Sequence, residues 1–249
     1  MASDFSLSYS ALANTYSLFG TFGAKLPKEA FEYARTLAEQ ALELDPLLPD
    51  AHAFLGWILA TNDHNWAAAY VSLPHAQDLD PERSPAYFWY ALTLIYRNRI
   101  DEAVAQIDRA VKLDPVSIPA NRLRIEIYSF AGRYEDVLVL GQRHLELAPG
   151  DSVAGATIAD AYARLSQPEK AREILEMYTE RDDVPFTGSM ARAQKRLGMN
   201  EALQSALDSL IARSKTEFIP ACSIGILYAA LDRYEEAIAM FQESYPKFL

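Results

Sequence analysis

The sequence predicts an all-α fold, an α-α superhelix (helical solenoid) of about seven helix-turn-helix repeats. Three observations lead there. Helix ends of the form apolar–acidic–apolar are followed by proline at Pro46, Pro81, Pro115 and Pro149, spaced 35, 34 and 34 residues apart. A second mark keeps the same phase: NRIDEA from Asn98, GRYEDV from Gly132, SQPEKA from Ser166 and DRYEEA from Asp232. Between the marks, apolar residues recur at three- and four-residue steps, the period of one helix face. One such hairpin cannot bury its outer stripe alone, so hairpins of this kind stack on their neighbours.

The units follow in order. The first covers 5–46 and carries extra residues around FGTFGAKLP. The second, 47–81, contains HAFLGWILA as its first helix and AYVSLPHAQDLDP as its second. Pro74 falls inside that second helix, where it removes a hydrogen bond and clashes with the preceding turn. A kink or a restart is expected there, with Ser72 as a cap. The third unit, 82–115, shows the physics most clearly. Tyr87, Tyr90, Ala91, Leu94 and Ile95 form one apolar stripe, and Ala103, Ile107, Ala110 and Val111 form the next. Asp101 is expected to cap the second helix, with Glu102 in its first turn. Pro115 ends it, because proline lacks an N–H and biases Asp114 away from α. Units 116–149 and 150–182 repeat the pattern. Unit 183–215 keeps only Leu197-Gly198 and helical periodicity. Unit 216–249 ends without a polar capping helix, so Ile238, Phe241 and Phe248 are expected to stay exposed. Either the natural chain continues or this end packs on another molecule.

Composition excludes several classes. Of 249 residues, 34 are Asp or Glu and 23 are Lys or Arg, a net charge of −11. Such a chain is repelled by phosphate backbones, so no nucleic-acid partner is expected. Cys222 is the one cysteine, which rules out an internal disulfide and a cysteine-based metal site. The N-terminus lacks the pattern of a signal peptide, and no apolar run is long enough to insert in a membrane. A cytoplasmic globular protein is the expectation. The four histidines, His52, His64, His75 and His144, form no metal-binding spacing, and the ten glycines form no phosphate loop. The acidic pairs Asp101-Glu102 and Glu235-Glu236 open helices and are explained by the helix dipole. No cofactor, no metal and no enzyme activity are expected.

HAFLGWILA, with Leu55-Gly56 in place, together with GRYEDV and DRYEEAIAMF, resembles the tetratricopeptide repeat (TPR). The resemblance covers essentially the whole chain and is weakest in the sixth unit. ALELDPLLPDAHAFLGW and IDEAVAQIDRAVKLDPVS look similar, more narrowly, to C-terminal TPR arrays of bacterial signalling proteins: winged-helix regulators, adenylate cyclases and kinases. The resemblance implies a non-catalytic module that binds a protein or peptide in a concave groove lined by the first helices. It implies groove positions at Trp57; at Pro85, Phe88, Leu92, Ile95 and Tyr96; at Arg122, Glu126 and Phe130; and at Asp160 and Arg164. Their chemistry is aromatic in units two and three and charged in units four and five, where Arg122 and Arg164 would hold a carboxylate. For Trp57 and Phe88 the alternative is packing between repeats. The lysines of the chaperone-tail-binding TPRs are missing; Ser10, Asn14, Ala53, Phe54 and Trp57 stand at those positions. The alternative function is a homo-oligomer assembled through the last repeat.

Overall fold

A computed structural model describes residues 2–21, 27–178 and 188–244. Among these residues there are fourteen α-helices and no strand. The chain divides into two compact units, Met1–Ile127 and Tyr128–Leu249. The first holds α1 (Ala2–Thr21), α2 (Pro27–Leu44), α3 (Pro49–Thr61), α4 (Trp66–Leu79), α5 (Ser84–Tyr96), α6 (Ile100–Leu113) and most of α7 (Ile118–Phe130). The second holds the end of α7, then α8 (Tyr134–Leu147), α9 (Ser152–Arg164), α10 (Pro168–Glu176), α11 (Gly188–Arg196), α12 (Asn200–Arg213), α13 (Ala221–Ala230) and α14 (Tyr234–Ser244). Consecutive helices pack as hairpins, α3 on α4, α5 on α6, α9 on α10 and α13 on α14. Neighbouring first helices also touch, α3 with α5, α9 with α11 and α11 with α13.

Two kinds of turn set this rhythm. Within a hairpin, one residue adopts the left-handed conformation: His64, Asn98, Gly132, Ser166, Gly198 and Asp232, at intervals of 34, 34, 34, 32 and 34. That residue lets the next N–H reach back five residues and satisfy a helix-end carbonyl. Arg99 bonds Leu94, Arg133 bonds Tyr128, Gln167 bonds Tyr162 and Arg233 bonds Tyr228, at 2.9–3.0 Å. Between hairpins, the proline turn closes from the fourth residue to the first. Leu48 N–H donates to the Asp45 carbonyl, and Arg83, Ser117 and Asp151 repeat this to Asp80, Asp114 and Ala148. The side chains of Asp45 and Asp80 also accept from Leu47 and Glu82, which fixes the turn locally.

In the first unit the first helices supply bulk and the second helices supply space. Trp57, Ile58, Trp89 and Leu94 are buried against Ala69, Ala76, Ala103 and Ala110. The second unit buries Leu175, Tyr178 and Met190 in one cluster, and Leu203, Leu207 and Leu227 in another.

Three sequence expectations change. Arg99, rather than Asp101, is the N-cap of α6. The left-handed Asn98 brings the chain into the helix early, so Asp101 and Glu102 both fall in the first turn. Arg99 then forks onto Glu102 at 2.6 Å. The helix α4 runs from Trp66 to Leu79 without a restart, with Pro74 inside it and Asn65, not Ser72, as its cap. Burial of Ala69, Leu73 and Ala76 on both sides of the proline offsets the hydrogen bond the ring removes. Ile238 and Phe241 are exposed as expected, while part of FGTFGAKLP and Phe248 lie outside the described residues.

Candidate functional site

In the first unit, α3 and α5 are apolar on nearly every face, and such helices are buried. Trp57 is 1% exposed, and its indole N–H donates to Thr21 Oγ1 at 2.9 Å. Phe88 and Leu92 are also buried. Pro85 and Ile95 are half-buried. Tyr96, at the last position of α5, leaves 60% of its surface exposed, and its ring meets Trp57 edge-on at 5.6 Å. Trp57 in turn lies 5.3 Å from Trp89, a residue whose first-helix position gave no groove signal. The predicted aromatic strip is therefore a buried stack with Tyr96 as its surface end. On α7, Arg122 and Glu126 sit one turn apart as a half-buried pair at 4.0 Å.

In the second unit, Asp160 is completely buried on α9 and collects three arginines. Arg164, one turn along, donates from Nε at 3.0 Å. From α11, Arg196 donates from Nε at 3.2 Å and Arg192 Nε lies 3.9 Å away. Burial pulls the Arg164 guanidinium down, but the hydrogen bond and charge of Asp160 outweigh it, and the group is held above its ordinary value. Arg164 also lies over the Tyr134 ring at 4.9 Å, and Arg192 over Phe130 at 5.6 Å. Phe130 is 47% exposed. Sequence reasoning named Asp160, Arg164 and Phe130 but not Arg192 and Arg196, which the structure brings to Asp160. Their signal was an i, i+4 basic pair, in the unit where the turn interval shortens to 32 residues and the repeat register was lost.

His144 is buried and bonded through Nε2 to Asp151 Oδ2 at 2.9 Å. The other Asp151 oxygen caps α9 through Val153 and Ala154 N–H. This pair ties the end of α8 to the start of α9 and is structural. Among the described residues no group of three or more His, Cys, Asp or Glu is placed to hold a metal, and no helix is long and apolar enough to cross a membrane.

Residues 84–117 match the family model of the tetratricopeptide repeat. Tetratricopeptide repeat protein 37 of Xenopus laevis is 28% identical over 166 residues, 64% of this chain but 10% of that protein. Transcriptional regulator HilA of Salmonella typhimurium is 26% identical over 145 residues, 57% of this chain and 26% of the regulator. The chain thus spans a minor part of both relatives. Among solved structures, PilF of Pseudomonas aeruginosa aligns over 96% of this chain and 100% of its own, with a TM-score of 0.61 and 17% identity, a likeness of fold. With α5, α6 and their turn matching the family model and the same helix-hairpin grammar recurring on either side, the chain contains a tetratricopeptide repeat within an all-α series of helix hairpins.

Proposed function

We propose that this chain is a non-catalytic protein–protein interaction module that holds a protein or peptide on its first-helix faces, as a sensory or docking part of a bacterial regulatory protein. The observation that carries it is Tyr96. A large ring 60% exposed, backed by buried Trp57 and Trp89, is held in place before a partner arrives. Pre-ordered tyrosine of this kind is a common anchor in protein interfaces. The tetratricopeptide fold supports the protein-binding part of the reading, and the similarity to a transcriptional regulator supports the regulatory part.

The test is affinity capture with the full chain and a Tyr96→Ser variant. A partner recovered by the unaltered chain is expected to drop by about fivefold or more in the variant, in the range of an interface anchor. Far-UV circular dichroism and melting stay the same, because Tyr96 contributes little to the core. Equal recovery would remove Tyr96 from the interface. Phe88 is unsuitable for this experiment: it is 7% exposed, and truncating a buried phenylalanine costs about 3–5 kcal/mol of stability.

A further inference from the structure

In the first unit the rings of His52 and His75 lie 4.9 Å apart, centroid to centroid, at an interplanar angle of 77°. His52 is half-buried near the start of α3, and His75 is exposed near the end of α4. Their spacing in the sequence carries no signal. The antiparallel α3–α4 hairpin brings them together.

The repeat separates what is architectural in this pair from what is not. The residue six places after a turn proline donates to that proline's carbonyl. Tyr87 O–H bonds Pro81 at 3.1 Å, Asn121 Nδ2 bonds Pro115 at 2.9 Å, and His52 Nε2 bonds Pro46 at 2.9 Å. Tying the turn to the helix is the shared task, and tyrosine and asparagine perform it with no ring nitrogen to spare. On the facing helix of the third unit stands Arg109, which lies over Tyr87 and donates to the Pro81 carbonyl. The same station of the second unit holds His75, stacked edge-on against His52.

A carbonyl oxygen only accepts, so the bond to Pro46 places the proton on His52 Nε2 and leaves Nδ1 with its lone pair. An imidazole held through one nitrogen by a backbone carbonyl, with the other nitrogen bare, is the outer-shell arrangement of histidine metal ligands. No described group bonds the nitrogens of exposed His75, so its ring is free to turn either one inward. A divalent ion about 2.0–2.1 Å from one nitrogen of each ring stands about 3.2 Å from each centroid, and centroids 4.9 Å apart then subtend about 100° at it. That angle lies between the octahedral and the tetrahedral value.

We infer that His52 and His75 form a two-histidine site for a divalent transition metal of the Ni²⁺, Cu²⁺ and Zn²⁺ class. Imidazole suits these ions, whereas Mg²⁺ and Ca²⁺ take oxygen ligands. No group of three or more His, Cys, Asp or Glu is placed around an ion among the described residues, so water completes the coordination on the solvent side of His75. The bound ion clamps the start of α3 to the end of α4. This site is independent of the Tyr96 interface.

The probe is NiCl₂, titrated calorimetrically into the full chain without a histidine tag in a non-chelating buffer. One saturable site per chain is expected. His75→Ala and His52→Gln should each weaken it by about tenfold or more, since two-point attachment becomes one-point. The glutamine keeps an N–H for the Pro46 carbonyl. His64→Asn should leave binding unchanged, because asparagine tolerates the left-handed backbone at His64. Nickel should raise the melting temperature followed by tryptophan emission, and MgCl₂ at the same concentration should not. With one equivalent of CuCl₂, electron paramagnetic resonance should show coupling to two imidazole nitrogens. Absence of saturable nickel binding overturns the inference, as does unchanged affinity in His75→Ala or an equal loss in His64→Asn. An equal rise in melting temperature with MgCl₂ overturns the metal class. If His52→Gln loses its helical spectrum, His75→Ala, altered at an exposed position, decides alone.

Discussion

Ser166 shows how a single residue carries the repeat. It sits at φ 59 between α9 and α10, the same station that glycine occupies at Gly132 and Gly198. A side chain in that conformation costs about 1–2 kcal/mol, and glycine gives back about 0.5–1 kcal/mol as unfolded-state freedom. Ser166→Gly is therefore expected to stabilise the chain by about 0.5–1 kcal/mol, a rise in Tm of ~2 °C. Thermal melts check this, and an unchanged or lowered Tm would contradict it. Asp232→Gly offers no such gain, because Asp232 bonds Lys195 and Tyr234. These stations were legible in part: GRYEDV announces its turn through Gly132, whereas Asn98, Ser166 and His64 adopt the same backbone without glycine. The phase of NRIDEA and SQPEKA relative to the prolines marked the turns at Asn98 and Ser166, whereas His64 carried no such mark. Asp101 was misread as a cap because capping preference ranks acids above arginine, and tertiary geometry overrode that preference.

At the scale of an element, the fit between α3 and α4 is set by a missing side chain. A Cβ on Gly56 would come within 2.8 Å of Leu73 Cγ, and Leu73 is fully buried. Overpacking of this kind costs about 1–3 kcal/mol, while alanine returns up to about 1 kcal/mol of helix propensity. Gly56→Ala should lose about 1 kcal/mol or more in urea denaturation, and the loss should shrink in a Leu73→Ala background. No loss would mean α3 and α4 are looser than the geometry shows. Helix positions and hairpin pairing were readable because 3.6-residue periodicity survives in every unit. The face each aromatic presents was not readable. Phe88 and Tyr96 are both first-helix aromatics in one unit, yet one is buried and the other exposed. A helix apolar all round carries no stripe from which to choose.

Across the whole molecule, surface acids are tied to bases at recurring positions. Hydrogen bonds from Arg99, Arg213 and Arg233 hold Glu102, Glu217 and Glu236 below the usual carboxylate range. Lys195 and then Tyr234 do the same for Asp232. A depressed folded value means that the folded state binds fewer protons in acid than the unfolded chain. The stabilisation is fully present above the unfolded glutamate value of 4.5 and is lost as pH falls through the lower folded values. Arg99→Gln should therefore lower Tm more at neutral pH than in acid beyond that range, and salt should shrink the difference. An equal effect at both pH values would mean that the pair contributes nothing in solution.

The buried Trp57–Trp89 pair also gives the two units different optical signatures. All three tryptophans, Trp57, Trp66 and Trp89, belong to the first unit. Their emission on heating or in denaturant follows that unit alone, whereas the far-ultraviolet signal of the helices follows both. Coincident transitions would make the chain one cooperative body; a fluorescence change that leaves part of the helical signal standing would make it two, with the two units melting in sequence.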